Sequence, residues 1–202
     1  MKMLTETFYV TGGFDDAHQA ADGYFESHPG FVRVRSNPVG ESRYSGGFRF
    51  PNITIPRGAV VQSAKLRLHV TYMDDVNCEM YGNNVDNAED FSVDPQIISR
   101  PVTMAHAPFV KDDLGAMAWV EVSGLEAIIQ EIVNRTGWTS GNAIVLLLMA
   151  NSDVDRFCQF WSYENSPTDA AQLEITYITG VMYNLSIQVN DVLGGYTSPE
   201  VG

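Results

Sequence analysis

The sequence predicts an all-β protein: a jelly-roll-like antiparallel β-sandwich with one capped α-helix. Three observations carry this. Short segments alternate apolar and polar residues with the period of two that half-buried strands require. The clearest sets Leu66, Leu68, Val70 and Tyr72 against Lys65, Arg67, His69 and Thr71. Turn-forming residues fall between these segments at short intervals. A single stretch, about Ser123–Thr136, has helical spacing.

The elements follow in order. Thr5–Val10 is β-rich and alternates. Residues 11–30 are polar and glycine-containing, and read as a long loop or short irregular strands. Phe31–Arg35 and Tyr44–Phe50 are strands, with Gly46-Gly47 marking a bulge or close backbone approach. Ile53 and Ile55 point one way before the Pro56–Ala59 turn. Asn77–Tyr81 returns as a short strand, and Asn83–Arg100 is turn-rich, with Ile97 and Ile98 as core anchors. Pro101–Asp113, with Pro101 and Pro108, reads as irregular, and Ala116–Val122 resumes as a strand.

In the helix, Ser123 and Glu126 have the Ser-x-x-Glu spacing of a capping box. Leu125, Ile128, Ile129, Ile132 and Val133 form one apolar stripe. Gly137 suits the left-handed position that ends a helix. Ala143–Ala150 has no polar residue, which predicts a strand covered on both faces, one by the second sheet and one by the helix. Trp138 and Trp161 read as packing anchors. Alternating strands follow around Phe157–Tyr163 and Leu173–Tyr177. The predicted organisation is a sandwich over residues 1–179 and, over 180–202, a strand and a flexible or partner-docking tail.

Hydrophobic residues make up 45% of the chain and charged residues 18%, enough apolar content for a core. The net charge of −13 repels phosphates, so nucleic acid and anionic membrane surfaces are poor partners. The charge is uneven: Arg33, Arg35, Arg43, Arg49, Arg57, Lys65 and Arg67 surround one acid, Glu41, a local +6. Such cations either alternate outward into solvent or form a basic face for an acidic neighbour, for instance another copy. No apolar run is long enough to span a membrane, and no signal-peptide core follows Met1–Leu4. Cys78 and Cys158, far apart and outside any CxxC, favour two buried reduced thiols over a disulfide.

Chemistry is sparse. The four histidines lack metal-ligand spacing, and there is no GxSxG, GxGxxG or phosphate loop. No carboxylate pair has a specific claim, so the chain reads as a non-enzyme. Oxygen-rich loops offer a structural calcium through Asp15, Asp16, Asp86 and Asn87, the one cofactor these loops would take. Trp119, Tyr24, Tyr44 and Tyr81 lie in or near loop-rich stretches and are the candidates for stacking on a glycan.

Three phrases carry a resemblance. They are GGFRFPNITIPRGAVVQSAKLRL, the Tyr81-Gly82 to Phe91 segment with Asp86-Asn87-Ala88, and QEIVNRTGWTSGNAIVLLL with Arg156, Ser162-Tyr163-Glu164 and AAQLEITY. Together they resemble the DNRLRE-type, carbohydrate-binding-module-like extracellular sandwiches of bacterial surface proteins and bacteriophage structural proteins. Asn83 stands where that pattern often has Glu. The resemblance spans about residues 9–177 and implies the sandwich fold, with no catalytic residues to transfer. It leads to the expectation of a virion structural protein (a capsid decoration, head-fibre or tail-associated component) on the virion surface and made in the host cytoplasm. Its partners would be further copies, other virion proteins and surface glycans, without nucleic acid or membrane insertion. The alternative is an extracellular glycan-binding module or other cell-surface or filament component.

Overall fold

A computed structural model describes residues 2–38, 43–72 and 75–179. The expected C-terminal strand and tail lie outside the described residues. The strands are β1 (Lys2–Tyr9), β2 (Asp16–Ala20), β3 (Phe25–Ser27), β4 (Phe31–Ser36), β5 (Tyr44–Phe50) and β6 (Val60–Tyr72). They continue as β7 (Val76–Asn83), β8 (Val102–Lys111), β9 (Trp119–Ser123), β10 (Ile144–Ala150), β11 (Arg156–Trp161) and β12 (Gln172–Thr179). Among the described residues there is one helix, α1 (Glu126–Val133), between β9 and β10. The protein is an all-β, sandwich-like fold, as the alternation predicts.

Every strand pairing is antiparallel, along the path β1-β12-β6-β11-β4-β5-β10-β7-β8. β2 joins β5 and β3, and β9 joins β6. The long β6 turns the sheet back on itself. Its first part pairs with β12 (Leu66↔Leu173) and its last part with β11 (Val70↔Phe160). The alternating apolar residues of β6 therefore face one interior, where Leu66, Leu68 and Val70 meet Val32, Phe48, Met80, Ile144, Leu146 and Phe160. Cys78 and Cys158 are both buried in this core and are not joined as a disulfide. Burial drives the Cys78 thiol well above its usual range, which keeps it protonated and inert.

Four expectations are corrected. First, the helix is shorter than Ser123–Thr136 and the capping box does not form. Ser123 is the last residue of β9, opposite Lys65, and Gly124 turns the chain at φ +83°. The N-cap is Leu125, with no side-chain cap bond. Pairing with β6 claims Ser123 before it can cap. Second, Gly137 is not left-handed. It is required for space, since a Cβ there would lie 2.1 Å from Asp86 Oδ2. Third, the helix does not cover β10. Ile144, Leu146 and Leu148 face the main core, while Val145 and Leu147 face a second cluster with Ala17, Phe91 and Ile97. The segment 84–101 covers that face. Fourth, residues 102–111 form a ten-residue strand with one break in its register against β7, between Tyr81 and Asn83, not an irregular segment.

The covering segment holds together through a buried cation. Arg100, its side chain 1% exposed, donates to the carbonyls of Gln96, Glu89 and Asp94 and to Asn83 Oδ1, and lies 4.6 Å from the Phe91 ring. Gln19 Oε1 accepts the Ile97 and Ile98 amides at 2.7 and 3.0 Å. Ile97 is the anchor expected of it, whereas Ile98 is 41% exposed. Gly47 makes room for this layer: a Cβ there would lie 2.6 Å from Phe91 Cζ. Trp138 is buried, its Nε1 donating to the Ile55 carbonyl at 3.0 Å.

Candidate functional site

The oxygen-rich loop residues are occupied within the chain. Asp15 accepts from Arg49 at 2.7 Å through one oxygen and from the Thr11 amide and hydroxyl through the other. Asp86 accepts from Arg135 Nε at 2.7 Å, and Asn87 Oδ1 from the Ala143 amide at 2.8 Å. These bonds tie residues 86–88 to the turn after α1. Asp16 is fully buried in β2. Its Oδ2 accepts the Tyr163 amide at 2.8 Å, and its Oδ1 has no partner among the described residues. Burial pushes its carboxyl up to about 8, so the residue is protonated at neutral pH and a poor cation ligand. Among the described residues no group of three or more His, Cys, Asp and Glu side chains is arranged to hold a metal.

The four aromatic candidates fall in three places. Tyr24 is 54% exposed, and its carbonyl accepts the amide of Ala20, which lies opposite Tyr44. Tyr44 meets the buried His18 ring at 5.6 Å. Tyr81, half-buried on the outward side of β7, stacks on His106 of β8 with ring centroids 5.2 Å apart. Trp119, half-buried on β9, is flanked by Arg67 and His69, each 5.0 Å from its ring. Trp119 lines a recess of about 260 Å³ with Lys111, Asp112, Asp113, Leu114 and Glu121. An indole beside charged donors and acceptors is the arrangement that sugar rings need.

The basic segment does not form a free face. Arg35 makes a bidentate pair with Asp155 at 2.9 and 3.0 Å. Arg49 pairs with Asp15, and Lys65 with Glu121 and Glu174. Arg67 Nε lies 3.2 Å from Glu121, too poorly aligned to hydrogen-bond, while its Nη1 donates to Gln172. Arg57 donates to the Thr136 carbonyl. Of the two readings of these cations, the basic docking face is thus largely consumed by the chain's own acids. A wider recess of about 370 Å³ is lined by Arg35, Tyr72, Asp75, Asp155, Arg156 and Phe157. Its cations are also in use, Arg156 pairing with Asp75 and Asp112.

Among the described residues, β8 carries a row of exposed apolar side chains. β8 ends the strand path, and its even-numbered residues face outward. Met104 is 89% exposed, Val110 55% and Val102 37%, with His106 and Pro108 between them. Thr103, Ala107 and Phe109 face inward. The signal was present in the alternation of residues 102–110, beneath two prolines that read as strand breakers. Among the described residues, no helix is long and apolar enough to cross a membrane. A scan against protein-family models finds no match, and a search of curated proteins finds no significant match.

Proposed function

We propose that this chain is a non-enzymatic structural protein of a bacteriophage virion, a capsid decoration, head-fibre or tail-associated component on a carbohydrate-binding-module-like sandwich. One observation carries the reading. Among the described residues, the candidate loop carboxylates and most of the basic segment are engaged in joining parts of the chain to one another, while the strand at the end of the path presents an exposed apolar face. Such faces mark contacts with other proteins. The three sequence phrases that resemble the DNRLRE-type sandwiches support the same reading. The test is composition. Purified particles should contain the chain in a fixed stoichiometric ratio to the major coat protein, at positions visible in a reconstruction. Particles that lack it would reject this function.

The Trp119 recess favours a second reading, a glycan-binding module, either alone or as an added property of a virion protein. It predicts saturable binding on a glycan array that Trp119→Ala abolishes without loss of folding. Binding that survives this change would remove Trp119 from the site.

A further inference from the structure

We propose that a third recess, at the start of β5 beside the ends of β2 and β10, binds a small carboxylate ligand, with Arg43 as its anion-binding group. The ligand chemistry is a carboxylate on a compact body, either a short organic acid or the acidic sugar that ends a glycan. The site goes beyond the virion and Trp119 readings and fails separately from them, since neither uses Arg43.

The recess has a volume of about 210 Å³ and is lined by Ala21, Arg43, Ser45, Ile98, Met149 and Ala150. That is below the ~300–1,000 Å³ of most ligand pockets, so its ligand is small. Its place follows from the sheet. Ser45 lies opposite Gln19 of β2, and the Ala21 amide continues that ladder by donating to the Arg43 carbonyl at 3.0 Å. Arg43 and Ser45 are two residues apart on this extended stretch, so their side chains project to one side. Met149 and Ala150 continue β10 past Leu148, which lies opposite Gly46. Ile97 is buried under the covering segment, whereas Ile98 is 41% exposed and lines the recess. The walls are fixed, the Ile98 amide donating to Gln19 Oε1 at 3.0 Å and the Ala150 amide to Ser45 Oγ at 3.1 Å. A site built on hydrogen-bonded backbone loses little freedom when a ligand enters.

Charge selects the ligand. No acid lines this recess in a chain of net −13, whereas acids line both recesses described above. Unlike Arg35, Arg49, Lys65 and Arg67, the Arg43 side chain has no hydrogen-bond or ion-pair partner among the described residues. Glu79, opposite Met149 on β7, is 3.0 Å from His106 Nδ1. Ser45 adds a second donor. It is 6% exposed, its oxygen accepts from Ala150, and its hydroxyl proton has no acceptor among the described residues. A guanidinium fork with a hydroxyl beside it suits the two oxygens of a carboxylate. Ala21, Ile98, Met149 and Ala150 supply apolar contact, which the body of an organic acid can use and a hydrated inorganic anion cannot.

The test follows amide chemical shifts of the full ¹⁵N-labelled chain during titration with pentanoate, glucuronate, pentanol and inorganic phosphate. One or both acids should shift the Ser45, Ile98 and Ala150 amides saturably, with Kd of about 1 mM or tighter, and pentanol and phosphate should not. Pentanoate binding identifies the ligand as a free organic acid, and glucuronate binding alone as an acidic sugar. Arg43→Gln should weaken binding by about 10-fold or more with an unchanged circular dichroism spectrum, and Arg43→Lys should weaken it less. The comparison of pentanoate with pentanol tests the carboxylate without any variant. Absence of saturable shifts with both acids would overturn the site, as would phosphate or pentanol binding as tightly as the acids, or binding that survives Arg43→Gln.

Discussion

Asp16 and His18 sit two residues apart on β2, both fully buried, and their surroundings act in opposite senses. Burial raises the Asp16 carboxyl from 3.8 to about 8, with Glu164 and Asp15 adding to the effect and the Tyr163 amide opposing it. Burial lowers His18 from 6.5 to about 4, opposed by Glu26 and reinforced by Arg33. His18 Nε2 lies 3.3 Å from Glu26 but is not aligned for a hydrogen bond. Folded Asp16 keeps a proton that the unfolded chain has lost, so its contribution is full below 3.8 and lost as pH rises toward about 8. Folded His18 stays neutral where the unfolded ring is charged, so its contribution is full above 6.5 and lost as pH falls toward about 4. The two slopes cancel between about 4 and 6.5, and Asp16 acts alone from 6.5 to about 8. Stability should fall there by about 1.4 kcal/mol per pH unit. Urea denaturation of Asp16→Asn should abolish that fall and reveal the rise due to His18 between about 4 and 6.5. An Asp16→Asn profile that parallels wild type would assign the slope to other groups.

At the scale of elements, α1 works as a brace. Its first turn is not held by Ser123, whereas its Glu131 carboxylate accepts the two β8 amides left out of the β7 ladder by the irregularity between Tyr81 and Asn83. The Met104 bond is exposed and the Ala105 bond part-buried, and leaving a part-buried amide without its acceptor costs about 1–3 kcal/mol. Glu131→Ala should therefore destabilise the protein by about that amount in chemical denaturation. Ser123→Ala should fall within about 0.5 kcal/mol of wild type, since no cap is lost. Equal losses at both positions would mean that the capping box forms in solution. The helix stripe was legible because Ile128, Ile129, Ile132 and Val133 recur at helical spacing and all are buried. Its start was not, because a capping pattern says nothing of a strand partner competing for the same residue. β8 was misread for a related reason. Local rules treat proline as a breaker, and only the sheet order reveals an outermost strand, where a residue without an N–H is tolerated.

Over the whole molecule, the net charge of −13 makes copies of the chain repel one another at low ionic strength, an effect that salt screens. The basic segment illustrates the same scale. Its +6 is plain in the sequence, yet Arg35, Arg49, Lys65 and Arg67 each meet an acid that is distant along the chain or on a neighbouring strand.

The sequence by itself determined the all-β class, the inward faces of most strands and the buried state of Trp138 and both cysteines. These follow from side-chain periodicity and local apolar content, which are properties of neighbours along the chain. Tertiary structure alone decided that residues 84–101 and not the helix cover β10, that Gly137 serves Asp86, and that Asp16 and His18 are buried on β2. It also decided that residues 102–111 form a strand at one end of the path, with an exposed apolar row. Each of these depends on what lies across a sheet or beneath a loop, and a one-dimensional pattern carries no record of which distant residue will fill that place.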